Sequence, residues 1–116
     1  MSINSKRKGK VGELELALFL RENGWPEAYR SQQFKGGNDS PDVCGIPGIH
    51  IECKRVETLR LYQALSQAQR DAGDSGNVPV VVHRPSRREW VVCLSLRDFL
   101  DLLKKAGYGP DMEFVA

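Results

Sequence analysis

Pro41-Asp42-Val43-Cys44-Gly45-Ile46-Pro47-Gly48-Ile49-His50-Ile51-Glu52-Cys53-Lys54 is the stretch on which the reading of this chain turns. Its second half alternates: Ile49, Ile51 and Cys53 fall on one face of a strand, and His50, Glu52 and Lys54 on the other. Glu52 and Lys54 therefore project together. Gly45-Ile46-Pro47-Gly48 supplies turn chemistry for a hairpin, and a hairpin brings Asp42 alongside the Glu52 strand. Two carboxylates so placed repel each other unless a cation joins them. An oxygen-ligated divalent ion, Mg²⁺ in a cell with Mn²⁺ able to substitute, suits that pair and keeps waters from which a nucleophile can be drawn. Lys54 then orients or deprotonates that water, or neutralises charge developing on a phosphate.

Taken singly, Glu-x-Lys is an ordinary solvated charge pair and Pro-Asp an ordinary turn dipeptide. Order and spacing set this copy apart. Gly109-Pro110-Asp111 repeats the dipeptide with no apolar strand or Glu-x-Lys behind it, and reads as a turn.

The run outside this stretch fits an α/β domain. Val11, Leu14, Ala17 and Leu18, with Leu20 at the edge, give an amphipathic helix from about Ser5 to Asn23, closed by Gly24. Glu13 flanks that stripe. Glu27 to Phe34 suits a strand, and Gly36-Gly37-Asn38-Asp39-Ser40 a loop into Pro41-Asp42. From Thr58, a candidate N-cap, to Ala72 the residues Leu61, Tyr62, Leu65, Ala68, Gln69 and Ala72 line one side of a helix. Gln67 falls off that stripe and points away from the core. Val78-Pro79-Val80-Val81-Val82 is a β-branched run for a buried strand with Pro79 at its start, and Glu89 to Leu94 forms the next strand. Ser95 to Lys105 closes the fold as a helix with Leu96, Phe99, Leu100 and Leu103 inward and Ser95 with Asp98 as a capping box. The order is helix, three strands, helix, two strands, helix. A helix between the Lys54 and Val80 strands implies a parallel central pair within a mixed sheet flanked by helices.

At 116 residues the chain makes one domain, residues 1–116, with a modest core that a partner subunit would extend. A net charge of +2 is too small to announce nucleic acid by itself. Distribution says more: Lys6, Arg7, Lys8 and Lys10 cluster near the N-terminus, and His83, Arg84, Arg87 and Arg88 between the later strands, both able to meet phosphates. Three cysteines without a CxxC pair argue against a disulfide framework or zinc site and for a reducing compartment. With no signal region or long apolar run, a soluble cytoplasmic protein is expected.

Pro41, Asp42, Glu52, Cys53 and Lys54 resemble the signature of the PD-(D/E)XK nuclease superfamily. Within it, the chain is most similar to small archaeal-type Holliday junction resolvases and their phage-encoded relatives. The resemblance implies a restriction-endonuclease-like core and a metal-dependent DNA endonuclease. Lys8-Gly9-Lys10-Val11-Gly12-Glu13 fits the family's opening helix, which makes Glu13 an auxiliary metal or water ligand. Tyr29-Arg30-Ser31 stands where relatives carry a Ser, so Arg30 and Ser31 become candidate backbone contacts to DNA. A Gln on the helix after the Lys is matched by Gln67, with Gln63 and Gln69 as substitutes. Cys53 departs from the pattern, harmlessly where only its backbone carbonyl reaches the metal. The absence of an appended recognition domain favours branched DNA over sequence reading, and symmetric cutting of a junction implies a homodimer. A general or flap-type nickase of this fold and a silent nucleic-acid-binding module are the alternatives. Converging carboxylates speak against the module, because they repel a phosphate.

Overall fold

The computed structural model describes residues 2–31 and 41–111, residues 2–8 as backbone alone. The chain runs α1 (Ser2–Glu22), β1 (Tyr29–Arg30), β2 (Val43–Cys44), β3 (Ile49–Lys54), α2 (Leu61–Ala72), β4 (Val78–His83), β5 (Val91–Cys93) and α3 (Leu96–Lys105). This is the expected order. The strands form one five-stranded sheet in sequence order, antiparallel except for the β3–β4 pair. That pair is the backbone of the fold: six residues of β3 run in register with six of β4, from Ile49 opposite Val78 to Lys54 opposite His83. The crossover between them is α2, as a parallel pair requires. No helix among the described residues is long and apolar enough to cross a membrane.

The two faces of the sheet carry separate clusters. Leu16 and Ala17 of α1 pack with Val43, Ile51 and Val80 on one face, while Ala64 and Ala68 of α2 pack with Val81 on the other. β3 alternates as its sequence requires, sending Ile49, Ile51 and Cys53 to the α1 cluster. The β2–β3 hairpin depends on Gly45, at φ +104°, because a Cβ there would run into the Glu27 carbonyl oxygen and the Ala28 Cα. Only glycine admits that approach.

Several local expectations give way to packing. The buried side of α1 carries Gly12, Leu16 and Ala17, and Val11, Leu14 and Leu18 are exposed instead. The helix has apolar residues nearly all round, so the face chosen is the one where Gly12 and Ala17 allow close approach to the sheet. In α2 the buried residues are Ala64, Ala68 and Ala72, whereas Tyr62 is 81% exposed and Leu61 lies at the rim. Small side chains again decide which face sits on the sheet. The helix starts at Leu61 after an Arg60 N-cap that makes no side-chain cap bond, so Thr58 is not the cap. β1 is limited to Tyr29–Arg30 and β5 to Val91–Cys93, both shorter than expected. The remainder of the Glu27–Phe34 strand beyond Ser31, and the loop through Ser40, lie outside the described residues.

The largest correction concerns α3. Ser95 caps it as expected, accepting from the Asp98 amide at 3.1 Å. Its apolar side, however, does not face the sheet: Leu96 is 70% exposed, Phe99 44% and Leu100 46%, and the helix has no buried residue.

Candidate active site

The site is built where β2 leaves its hairpin beside β3, under α2. Asp42 is held by its own backbone on both sides, its amide donating to the Ile51 carbonyl (2.8 Å) and its carbonyl accepting from the Ser31 amide (2.9 Å). Its carboxylate Oδ2 accepts the Cys53 amide at 2.8 Å, which pins the side chain against the end of β3. Glu52, only 2% exposed, stands on the α2 side of β3 with its carboxyl in hydrogen-bond contact with that of Asp42. Asp42 and Glu52 thus converge as the hairpin reading expects. The Lys54 Nζ, on the same side of β3, donates to Gln67 Oε1 across 3.3 Å. Gln67 therefore points into the cleft, contrary to the outward orientation read from its helical stripe, whereas Gln63 and Gln69 are exposed.

Glu13 reaches towards Asp42 from α1, and Arg30 Nε donates to its Oε1 at 2.8 Å. Burial and the Asp42 charge raise the Glu13 pKa, while Arg30 opposes the shift. Burial raises Asp42 as well, against the stabilising Cys53 amide. Glu52 is pushed hardest, up to about 8, by its burial first and then by Asp42. Two buried carboxyls in contact cannot both ionise cheaply, and one proton shared between them is the metal-free solution. The chemistry of this donor set fits a divalent cation: hard carboxylate oxygens that converge, with Glu52 buried and Asp42 half-buried, and that outnumber the Lys54 ammonium beside them. It is the Cys53 amide that reaches Asp42; its thiol is half-buried against the α1 cluster, and burial pushes it up to about 12.

The remaining predicted residues are more dispersed. Arg84 is engaged within the protein, by Glu15, by the Arg88 carbonyl and over the Trp90 ring at 6.0 Å. His83 ends β4 with its Nε2 2.9 Å from the Val56 carbonyl oxygen. Lys10 is exposed on α1, and the side chains of Lys6, Arg7 and Lys8 lie outside the described residues. Two residues that sequence reasoning did not place in the site stand next to Glu52: His50, two residues earlier on the same strand face, and Asp71, one helical turn beyond Gln67 on α2. The i, i+4 step from Gln67 to Asp71 was the available signal.

The raised Glu52 carboxyl has a stability consequence. Between its ordinary 4.5 and about 8 the folded chain holds a proton that the unfolded chain has released. The contribution of Glu52 to metal-free stability is therefore full below 4.5 and is lost as pH rises towards 8. Thermal unfolding in chelator should show Glu52→Gln flattening this loss and gaining roughly 1–2 kcal/mol at pH 8, well under the full shift because the paired carboxyls share the proton. Parallel pH curves for both proteins would refute it.

A five-stranded mixed sheet with helices on both faces, carrying Pro-Asp just before β2 and Glu-x-Lys at the end of the neighbouring β3, defines the restriction-endonuclease-like fold of the PD-(D/E)XK nucleases. The chain belongs to the archaeal Holliday junction resolvase (Hjc) family, whose profile matches residues 4–109. It is also similar to the solved structure of Archaeoglobus fulgidus Hjc, a Holliday junction resolvase from an archaeal hyperthermophile, at 25% identity and a TM-score of 0.58, covering 75% of this chain and 72% of that one. No curated protein matches the chain.

Proposed function

We propose that this protein is a Mg²⁺-dependent, structure-selective DNA endonuclease that resolves four-way junctions. The observation that carries the reading is the convergence of Asp42, Glu52 and the Gln67-held Lys54 at the C-terminal end of β3, the central strand of a nuclease-fold sheet. Asp42 and Glu52 would hold the cation, with the Cys53 carbonyl and Glu13 as further oxygen donors. A bound divalent cation supplies charge neutralisation for the phosphate and lowers the pKa of coordinated water. The protein's own groups do the rest. The Cys53 amide fixes the Asp42 carboxylate, Gln67 holds the Lys54 ammonium in place, and Lys54 presents positive charge to the attacked phosphate or hydrogen-bonds the attacking water. Cytoplasmic DNA of a prokaryotic cell, or of one infected by a phage, is the setting this chemistry fits.

A junction has two strands to cut symmetrically, which calls for two copies of the site. The face for that pairing is α3 with the edge strand β5: Leu96, Phe99 and Leu100 lie exposed on a helix without a buried residue, and Val91 and Val92 are exposed beside them in sequence. An apolar helix face of that kind is a partner surface in soluble proteins. Phe99→Glu with Leu100→Glu should convert the dimer to monomer in sedimentation, at little cost to the monomer's own stability because both side chains are exposed. Paired incisions should give way to single nicks. A wild-type monomer that still makes paired cuts would remove this assembly.

The function itself is tested by matched four-way-junction, flap and linear duplex substrates, with Mg²⁺ or chelator. Paired nicks confined to the junction support the resolvase. Equal cutting of all three supports a general nickase, and no metal-dependent cutting leaves a binding module.

A further inference from the structure

His50, Glu52 and Asp71 bring a ring nitrogen and two carboxylate oxygens within 4.8 Å of one another, on the side of β3 that α2 covers. His50 is 3% exposed and Glu52 2%. Burying such groups costs free energy unless something joins them. Within the protein the Glu52 carboxyl meets that of Asp42, and little else joins the group. The imidazole has one hydrogen-bond contact among the described residues, Nε2 to Glu52 Oε1, and at 3.4 Å it is long. No hydrogen bond to the Asp71 carboxylate is found among them, and the nearby ammonium of Lys54 donates to Gln67. Asp71 sits one turn beyond Gln67, so the same helix face that holds Lys54 aims a third carboxylate at Glu52. The place is rich in lone pairs and poor in donors. That is the complement of a cation.

We propose that His50, Glu52 and Asp71 form a second cation position for a first-row transition ion of the Zn²⁺ or Mn²⁺ kind, adjacent to the Asp42–Glu52 position and sharing Glu52 with it. The inference rests on the proposed function only in that shared residue. An imidazole nitrogen distinguishes the two positions: Mg²⁺ takes oxygen donors, whereas imidazole with carboxylates suits zinc and its neighbours. Bonds of ~2.1 Å put tetrahedral zinc ligands roughly 3.4 Å apart. An inward turn of the Asp71 side chain, which is only half-buried on α2, closes the remaining gap. Because Glu52 belongs to both positions, occupation of one changes the affinity of the other, and the nuclease would respond to the transition metal present.

The test is metal binding to the full chain, read by calorimetry with Zn²⁺ and Mg²⁺ and by Mn²⁺ electron spin resonance, for wild type, His50→Gln, Asp71→Asn and Asp42→Ala. His50→Gln and Asp71→Asn should each weaken Zn²⁺ binding by at least roughly tenfold, as loss of even indirect metal partners does, and leave Mg²⁺ binding in place. Nitrogen coupling to Mn²⁺ should appear in wild type and vanish in His50→Gln. Asp42→Ala should do the reverse, losing Mg²⁺ and retaining Zn²⁺. If both His50→Gln and Asp71→Asn keep wild-type circular dichroism and wild-type Zn²⁺ affinity, the second position does not exist. An unchanged Mg²⁺ affinity in Asp42→Ala would instead count against the proposed catalytic position, which separates the two failures.

Discussion

Junction cleavage should fall by at least roughly 10²- to 10³-fold in Asp42→Ala and in Glu52→Ala, since each removes one of the charged groups on which transition-state stabilisation would depend. The two variants should differ in stability. Glu52→Ala deletes a buried carboxyl whose burial raises it to about 8, so at pH 8 the metal-free protein loses a cost along with its activity. Asp42→Ala also deletes the acceptor of the Cys53 amide. An amide left unsatisfied costs about 1–3 kcal/mol, which offsets the gain from relieved repulsion. Asp42→Asn is the control, because it keeps an acceptor for the amide while losing the charge: metal-free at pH 8 it should unfold at a higher temperature than Asp42→Ala, and it should cut like Asp42→Ala. Mg²⁺ should raise the melting temperature of wild type and of none of the three. Wild-type cleavage rates in either carboxylate variant would remove the site assignment whatever the stability data say.

The parts of this fold that were legible from sequence are those fixed by short-period patterns. Alternation in Ile49–Lys54 set which side chains share a face, the β-branched run of β4 marked a buried strand, and the helix between them required the parallel pair that the register shows. Helix faces were not legible in the same way. In α1 and α2 the residues that meet the sheet include Gly12, Ala17, Ala64 and Ala68, which carry little hydrophobic weight and win because a helix can approach closely over them. A pattern weighted by large apolar residues therefore placed Ala17, Ala68 and Ala72 inward as they are, but added Val11, Leu14, Leu18 and Tyr62, passed over Gly12 and Ala64, and turned Gln67 outward. In α3 the periodicity was sound and the inference from it was not, because an apolar stripe states that something is covered and not what covers it. For the site, Asp42, Glu52 and Lys54 follow from one hairpin. His50 and Asp71 escape because their proximity depends on how α2 is rotated over β3, which no local spacing encodes.

That rotation also governs the second large effect. Lys54→Met should lower junction cleavage by roughly 10²- to 10³-fold at saturating Mg²⁺, through the rate of the chemical step rather than through metal or DNA affinity. The reason is placement: the ammonium shares the β3 face with Glu52 and is steadied by Gln67 Oε1 at 3.3 Å, where it can meet charge that appears on the phosphate only as the bond breaks. Met keeps the aliphatic length, so the packing under α2 survives and a cavity does not confuse the result. Mg²⁺ should bind Lys54→Met at least as well as wild type, because a positive charge has left the vicinity of both carboxyls. Gln67→Ala should cost less, about tenfold, since it loosens the lysine without removing it. The double variant should then be no slower than Lys54→Met alone, because a residue that acts only by holding Lys54 has nothing left to hold. An additive double loss would assign Gln67 a separate contact with water or DNA, and a Lys54→Met enzyme rescued by raising Mg²⁺ would move the lysine from chemistry to metal binding.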